Sequence, residues 1–211
     1  MAGKAFIETA YYDNLISEWI LKSSDMEHIS KRVVAGKVDS YLKYGENPHQ
    51  KAIYVRSSFS SEKDNDFSLI KGESLSFNNF IDITAAYKIL SELSPYNKPA
   101  SVIIKHNNPC GVSVSNNVIE AYSNALNCDP ISAFGGIVCI NRKIDEILAN
   151  KISSTFTEIV CASEFEPEAL NVFSKKKNLK IVKIKKFDGK LANINELKSV
   201  LGGNLIQTAD T

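Results

Sequence analysis

The sequence predicts an α/β fold: layers packed on a mixed, largely parallel sheet. Two observations carry this expectation. From Ser101 onward, short apolar runs alternate with segments of helical periodicity, the signature of strand–helix repeats. The apolar runs are also continuous rather than alternating, as expected when both sheet faces are covered.

The elements follow in order. Phe6, Thr9, Ala10, Leu15, Ile16, Trp19 and Ile20 recur at near-helical spacing and predict a first helix. Ser23 to Lys37 is polar and without pattern. Tyr41 to Val55 holds a polar run followed by Ala52-Ile53-Tyr54-Val55, a predicted strand. Ser57 to Asp66 reads as a polar loop. A helix is expected at about Phe80–Leu93, with Asn78 or Asn79 as its N-cap. Then come strand Val102–Ile104, helix Val118–Asn127, strand Ile137–Ile140 and helix Ile144–Ile152. Strand Ile159–Ala162, a helix from Pro167 at its first position to Lys177, and strand Leu179–Ile184 close the series. A short helix, Ile194–Leu201, and a strand, Asn204–Gln207, are expected after it.

Composition narrows the function classes. A net charge of +1 gives no bulk field for nucleic acid or an anionic membrane. No apolar run approaches the roughly 20 residues of a membrane span, and the first residues carry no apolar secretory core. Cys110, Cys128, Cys139 and Cys161 form no CxxC pair. They are expected to be buried, reduced thiols in a cytoplasmic protein.

Four runs carry candidate chemistry. In Lys105-His106-Asn107-Asn108-Pro109-Cys110-Gly111 a cation and an imidazole adjoin where a strand ends, before a turn expected from Pro109 and Gly111. Ligands bind outside strand ends in open α/β sheets. The plain alternative is a strand-to-helix turn that happens to carry both residues. Asp129-Pro130-Ile131-Ser132-Ala133-Phe134-Gly135-Gly136 offers a carboxylate fixed by proline, and glycines that allow close backbone approach. It also reads as a simple loop. Tyr44 to Gln50, with Lys43 before it, gathers a cation, a phenol, an amide and an imidazole suited to an anionic ligand, or else forms a polar turn. Ser76-Phe77-Asn78-Asn79-Phe80-Ile81-Asp82 caps a helix and leaves one amide beyond the needs of capping.

His28 sits in a polar stretch and is expected to be solvated, and Lys175-Lys176-Lys177 is expected at a solvated helix end. A zinc-deaminase site needs H-x-E and P-C-x-x-C. Here Asn108 stands in place of the glutamate and Ser113 in place of the second cysteine, so no metal site is expected. Neither a dinucleotide fingerprint nor a P-loop occurs.

Taken together, LKYGENPHQ, SFNN, KHNNPCG and DPISAFGG, in that order, resemble the bifunctional purine-biosynthesis family that joins AICAR (5-aminoimidazole-4-carboxamide ribonucleotide) formyltransferase to IMP cyclohydrolase. The resemblance implies that residues 1–39 are the last helix of the cyclohydrolase domain with a linker. Residues 40–211 would be the first part of the formyltransferase domain, a cytidine-deaminase-like α/β unit without zinc. It implies formyl transfer from 10-formyltetrahydrofolate to the 5-amino group of AICAR, with Lys105 and His106 as the catalytic pair. Their division of labour stays open. Asn79 and Asp129 would hold the aminoimidazole carboxamide, and Lys43 and Tyr44 the nucleotide phosphate. The family usually has Arg where Lys43 stands, which removes a bidentate fork. The resemblance also implies a homodimer and a fragment of a longer enzyme, inactive and self-associating alone. The alternative is a catalytically silent α/β module that binds only a nucleotide or a partner subunit.

Overall fold

The computed structural model describes residues 1–24, 29–57, 67–185, 187 and 195–208. His28 and most of the polar run 57–66 lie outside them. The chain forms two compact units, residues 1–65 and 66–211.

The first unit holds helix α1 (Ala2–Lys22) and a hairpin of β1 (Gly36–Leu42) and β2 (Ala52–Ser57). The expected helix and strand are both present, and β1 is an addition from the polar tract. The domain boundary expected at 39/40 falls inside β1. The apolar side of α1 is open: Phe6, Ile7 and Trp19 are 76%, 69% and 71% exposed. Its buried polar positions are Asn14 and Glu18, the latter paired with Arg32 at 2.9 Å.

The second unit starts with β3 (Phe67–Lys71) and α2 (Phe77–Glu92). A hairpin follows, β4 (Ala100–Lys105) and β5 (Asn108–Val114), then α3 (Val118–Cys128). Next come β6 (Ile137–Ile140), α4 (Glu146–Ser153), β7 (Ile159–Ala162), α5 (Pro167–Ser174) and β8 (Lys180–Ile184). A separate hairpin, β9 (Asn195–Val200) with β10 (Gly203–Thr208), ends the described chain.

The main sheet has the order β3-β8-β7-β6-β4-β5. It is mixed, as expected, but not largely parallel. Only β6–β7 and β7–β8 are parallel; β3–β8, β4–β5 and β4–β6 are antiparallel. The cause is β5. The sequence there, beginning Asn-Pro with a glycine two residues on, signals a turn leading to a helix. Instead the chain turns at His106-Asn107 and returns as an edge strand, where proline's missing N–H costs no ladder bond. The reversal makes β6 antiparallel to β4. The second correction is β9, expected as a helix over 194–201. Leu201 and Gly202 instead form a tight turn, with Gly202 at φ +82°, and the segment pairs along its length with β10.

Period-two alternation divides the core between the two sheet faces. Ile103, Val138, Ile140 and Val160 face α3, α4 and α5, whose Tyr122, Leu148, Ile152 and Phe173 are fully buried. Val102, Ile104, Cys139 and Cys161 face the other way, with Ile83, Ala86 and Leu90 of α2. The expectation of buried thiols is met by Cys139 and Cys161 but not by the half-buried Cys110 and the exposed Cys128. Each fully buried Ile, Leu or Val contributes about 1.5–3 kcal/mol.

This arrangement sets the site. The carboxyl end of β4 lies beside the amino ends of β6, β7 and β8, since Ile104 pairs with Ile137, Ile137 with Ile159, and Ile159 with Lys180. Residues just past β4 and just before β6, β7 and β8 therefore meet at one edge. For β6 to β8 this is the amino end, opposite to the strand end expected from open α/β sheets.

Candidate active site

The β4–β5 turn stands at one end of this edge, because β5 is the outermost strand. Its two central residues, His106 and Asn107, have φ of +53° and +63°. That is the signature of a type I′ hairpin, which matches the twist of paired strands. Neither residue is glycine, so the conformation is strained. Two hydrogen bonds hold it. Asn108 Nδ2 donates to the His106 carbonyl at 2.8 Å. The Asn107 N–H donates to Asp82 Oδ1 of α2 at 2.6 Å. The imidazole stands exposed at the tip.

Lys105, the last residue of β4, is half-buried, and its Nζ donates to the Phe134 carbonyl at 2.7 Å. That bond fixes the ammonium against the 129–136 loop. The loop is shaped by Asp129, whose Oδ1 accepts from the Ser132 N–H at 2.9 Å. The Ser132 hydroxyl and N–H together hold the Asp129 carboxyl below its ordinary value. Gly135, at φ +76°, donates its N–H to the Phe156 carbonyl at 2.7 Å. Gly136 passes so close to β4 that a Cβ there would lie 2.8 Å from the Ile104 carbonyl oxygen. Phe134 packs on Phe156, ring centres 5.2 Å apart, and Ile131 is 87% exposed on the rim.

Lys105, His106, Asn108, Pro109, Cys110, Asp129 and Ser132 enclose a cleft of about 400 Å³. Three of the residues expected at the site, Lys105, His106 and Asp129, thus share one cavity. Burial, and then the nearby Asp129 charge, push the Cys110 thiol above its ordinary value, against the opposing effect of Lys105. Among the described residues no group of three or more His, Cys, Asp or Glu could hold a metal ion.

Asn79 stands apart from the cleft lining. Ser76 is the N-cap of α2, not Asn78 or Asn79. Asn79 completes a capping box with it, and its amide also donates to Glu158 Oε1 at 2.8 Å and accepts from Lys180 Nζ at 2.9 Å. Lys43 and Tyr44 lie in the first unit, the ammonium 5.9 Å from the ring centre. The run 44–50 is the turn between β1 and β2, closed by the Gly45 N–H on the Gln50 carbonyl at 2.8 Å. Three contributors had no role in the sequence reading: Asp82, which closes the Ser76–Asp82 run, Glu158 and Lys180. Asp82 follows Asn79 by three residues, one helical turn, which was the available signal. Glu158 and Lys180 precede or open predicted strands and come near only through topology.

Comparisons with known proteins add the following. Residues 1–211 match the family model described as AICARFT/IMPCHase bienzyme. The chain is 40% identical over 211 residues to a "Bifunctional purine biosynthesis protein PurH" of Rhizobium rhizogenes, covering 100% of this chain and 39% of that protein. It is 41% identical over 210 residues to the protein of the same name in Brucella ovis, with 100% and 39% covered. The chain thus spans about 39% of the length of these relatives.

Proposed function

The chain belongs to the AICARFT/IMPCHase bienzyme family, and we propose that it carries the catalytic pair of the formyl-transfer step. In that step the 5-amino group of AICAR takes the formyl group of 10-formyltetrahydrofolate. The observation that carries the reading is the convergence of Lys105, His106 and Asp129 on one cleft.

The chemistry demands such a set. The amine is a poor nucleophile, because its lone pair is delocalised into the imidazole and carboxamide. Attack creates a cationic nitrogen and an oxyanion in one tetrahedral intermediate. A neutral imidazole can take the proton, and a fixed ammonium can stabilise the oxyanion. His106, exposed at a turn tip, has access to the amine and serves as the base. Lys105, anchored on the Phe134 carbonyl, serves as the fixed cation. Asp129, already ionised and oriented by Ser132, accepts from the carboxamide or amine. By resemblance to the family, Lys43 and Tyr44 would take the nucleotide phosphate, and Asn79 with Asp129 the aminoimidazole carboxamide. No step in this chemistry requires a metal.

Other assignments belong to the same reading. Residues 1–39 are the end of the cyclohydrolase domain and a linker, and 40–211 the first part of the formyltransferase domain. The hairpin followed by strand–helix repeats supports the cytidine-deaminase-like assignment. The whole protein works as a homodimer in the cytoplasm, and also cyclises the formylated product to IMP.

The test is substitution in the whole protein. His106→Ala and Lys105→Leu should each lower formyl transfer by about a hundredfold or more, the scale of a lost general acid–base or electrostatic group. The KM for the nucleotide should change far less. Near-normal turnover in both variants would defeat the assignment.

A further inference from the structure

Nothing in the family-level reading gives Asp82 a role, yet it is the side chain that meets the strained turn. We propose that Asp82 is a positioning residue: its carboxylate holds the His106-Asn107 turn in the left-handed conformation and so aims the imidazole into the cleft. The inference rests on the proposed catalytic reading for its functional consequence, and on geometry for the contact itself.

In a two-residue hairpin the N–H of the second central residue has no ladder partner. Here that group is the Asn107 N–H, and Asp82 Oδ1 lies 2.6 Å from it. A bond to a carboxylate is among the stronger hydrogen bonds available to a backbone amide. Two successive non-glycine residues at positive φ persist only where the surroundings over-determine them. Asp82 supplies that constraint from α2, whose first turn is itself fixed by the Ser76–Asn79 capping box. Asn79 is tied in turn to Glu158 and Lys180 at the amino ends of β7 and β8. The turn is thereby referenced to the sheet rather than left to its own preferences.

The arrangement carries a cost. Burial raises the Asp82 carboxyl above its ordinary value, and Glu158 adds like charge. The Asn107 N–H and the nearby His106 oppose that rise without cancelling it.

The test combines amide exchange and kinetics, both on the whole protein. In the wild type the Asn107 amide should exchange at least about tenfold more slowly than an open peptide, although the residue is exposed. Asp82→Ala should remove that protection and lower kcat by about tenfold or more, with the nucleotide KM within about threefold, the pattern of a misplaced catalytic group. Asp82→Asn keeps an acceptor oxygen of the same reach and should restore most of both. An Asn107 amide that exchanges freely in the wild type overturns the proposal even if Asp82→Ala fails to fold. So does a kcat loss that Asp82→Asn does not restore. If His106→Ala retains full turnover, the catalytic reading fails instead, and the exchange result still decides whether Asp82 holds the turn.

Discussion

Asp129 shows how one residue can be read both for stability and for chemistry. Its carboxyl titrates below its usual 3.8 because Ser132 donates to the ionised form. The sign follows from linkage. A depressed acid stabilises the fold above its unfolded value, and that contribution is lost as pH falls through the folded value. The melting temperature of the wild type should therefore exceed that of Asp129→Ala at neutral pH, and the gap should narrow below about pH 4. A gap independent of pH would mean that the Ser132 contact is not charge-assisted. Lys105, His106 and Asp129 stand out in the sequence because the first two close a predicted strand four and three residues before Pro109, and Asp129 directly precedes Pro130. Asp82, Glu158 and Lys180 do not, since a carboxylate inside a helix pattern or a lysine opening a strand has no local mark of its partner.

Among the elements, β6 and β7 match their expected bounds, and α2, α3 and α4 lie within three residues of theirs. Strong periodicity, caps and apolar runs decide them locally. β5 and β9 were missed because pairing decided them: in NPCGVSV the alternation of Cys110, Val112 and Val114 is short and follows a turn-like Asn-Pro, NELKSV has none, and a partner strand makes both extended. Glycine in β5 has a distinct role. A Cβ on Gly111 would lie 1.8 Å from the Ala125 carbonyl oxygen, so α3 rests directly on the backbone of β5. Gly111→Ala should lower stability by about 1–3 kcal/mol or more, as overpacking against backbone does, measured as a shift in the urea midpoint. An unchanged midpoint would show that α3 can lift away freely. Because Cys110 and the turn adjoin this contact, activity should fall with it.

At the scale of the molecule, strand direction was the illegible quantity. Periodicity reports where a strand is, whereas direction depends on how many reversals precede it, and the unforeseen hairpin β4–β5 changed that count. Coverage of about 39% of the relatives' length bears on activity in the same way. Mixed with AICAR and 10-formyltetrahydrofolate, the 211-residue chain alone should give no sustained formyl product, while the whole protein should. Sustained turnover by the chain alone would locate a complete site within it. The gathering of strand ends at one edge has an electrical corollary. α3, α4 and α5 each finish just before β6, β7 and β8 begin, so three helix carboxyl ends point toward the edge that carries the cleft, opposed by the amino end of α2. Peptide dipoles are charges without a pKa. They neither titrate nor vanish when a side chain is replaced. Lys175, Lys176, Lys177 and Lys180 cluster where those negative poles favour cations. A pH profile or an alanine scan therefore reads only the part of the field that side chains add, and the remainder is a constant set by topology.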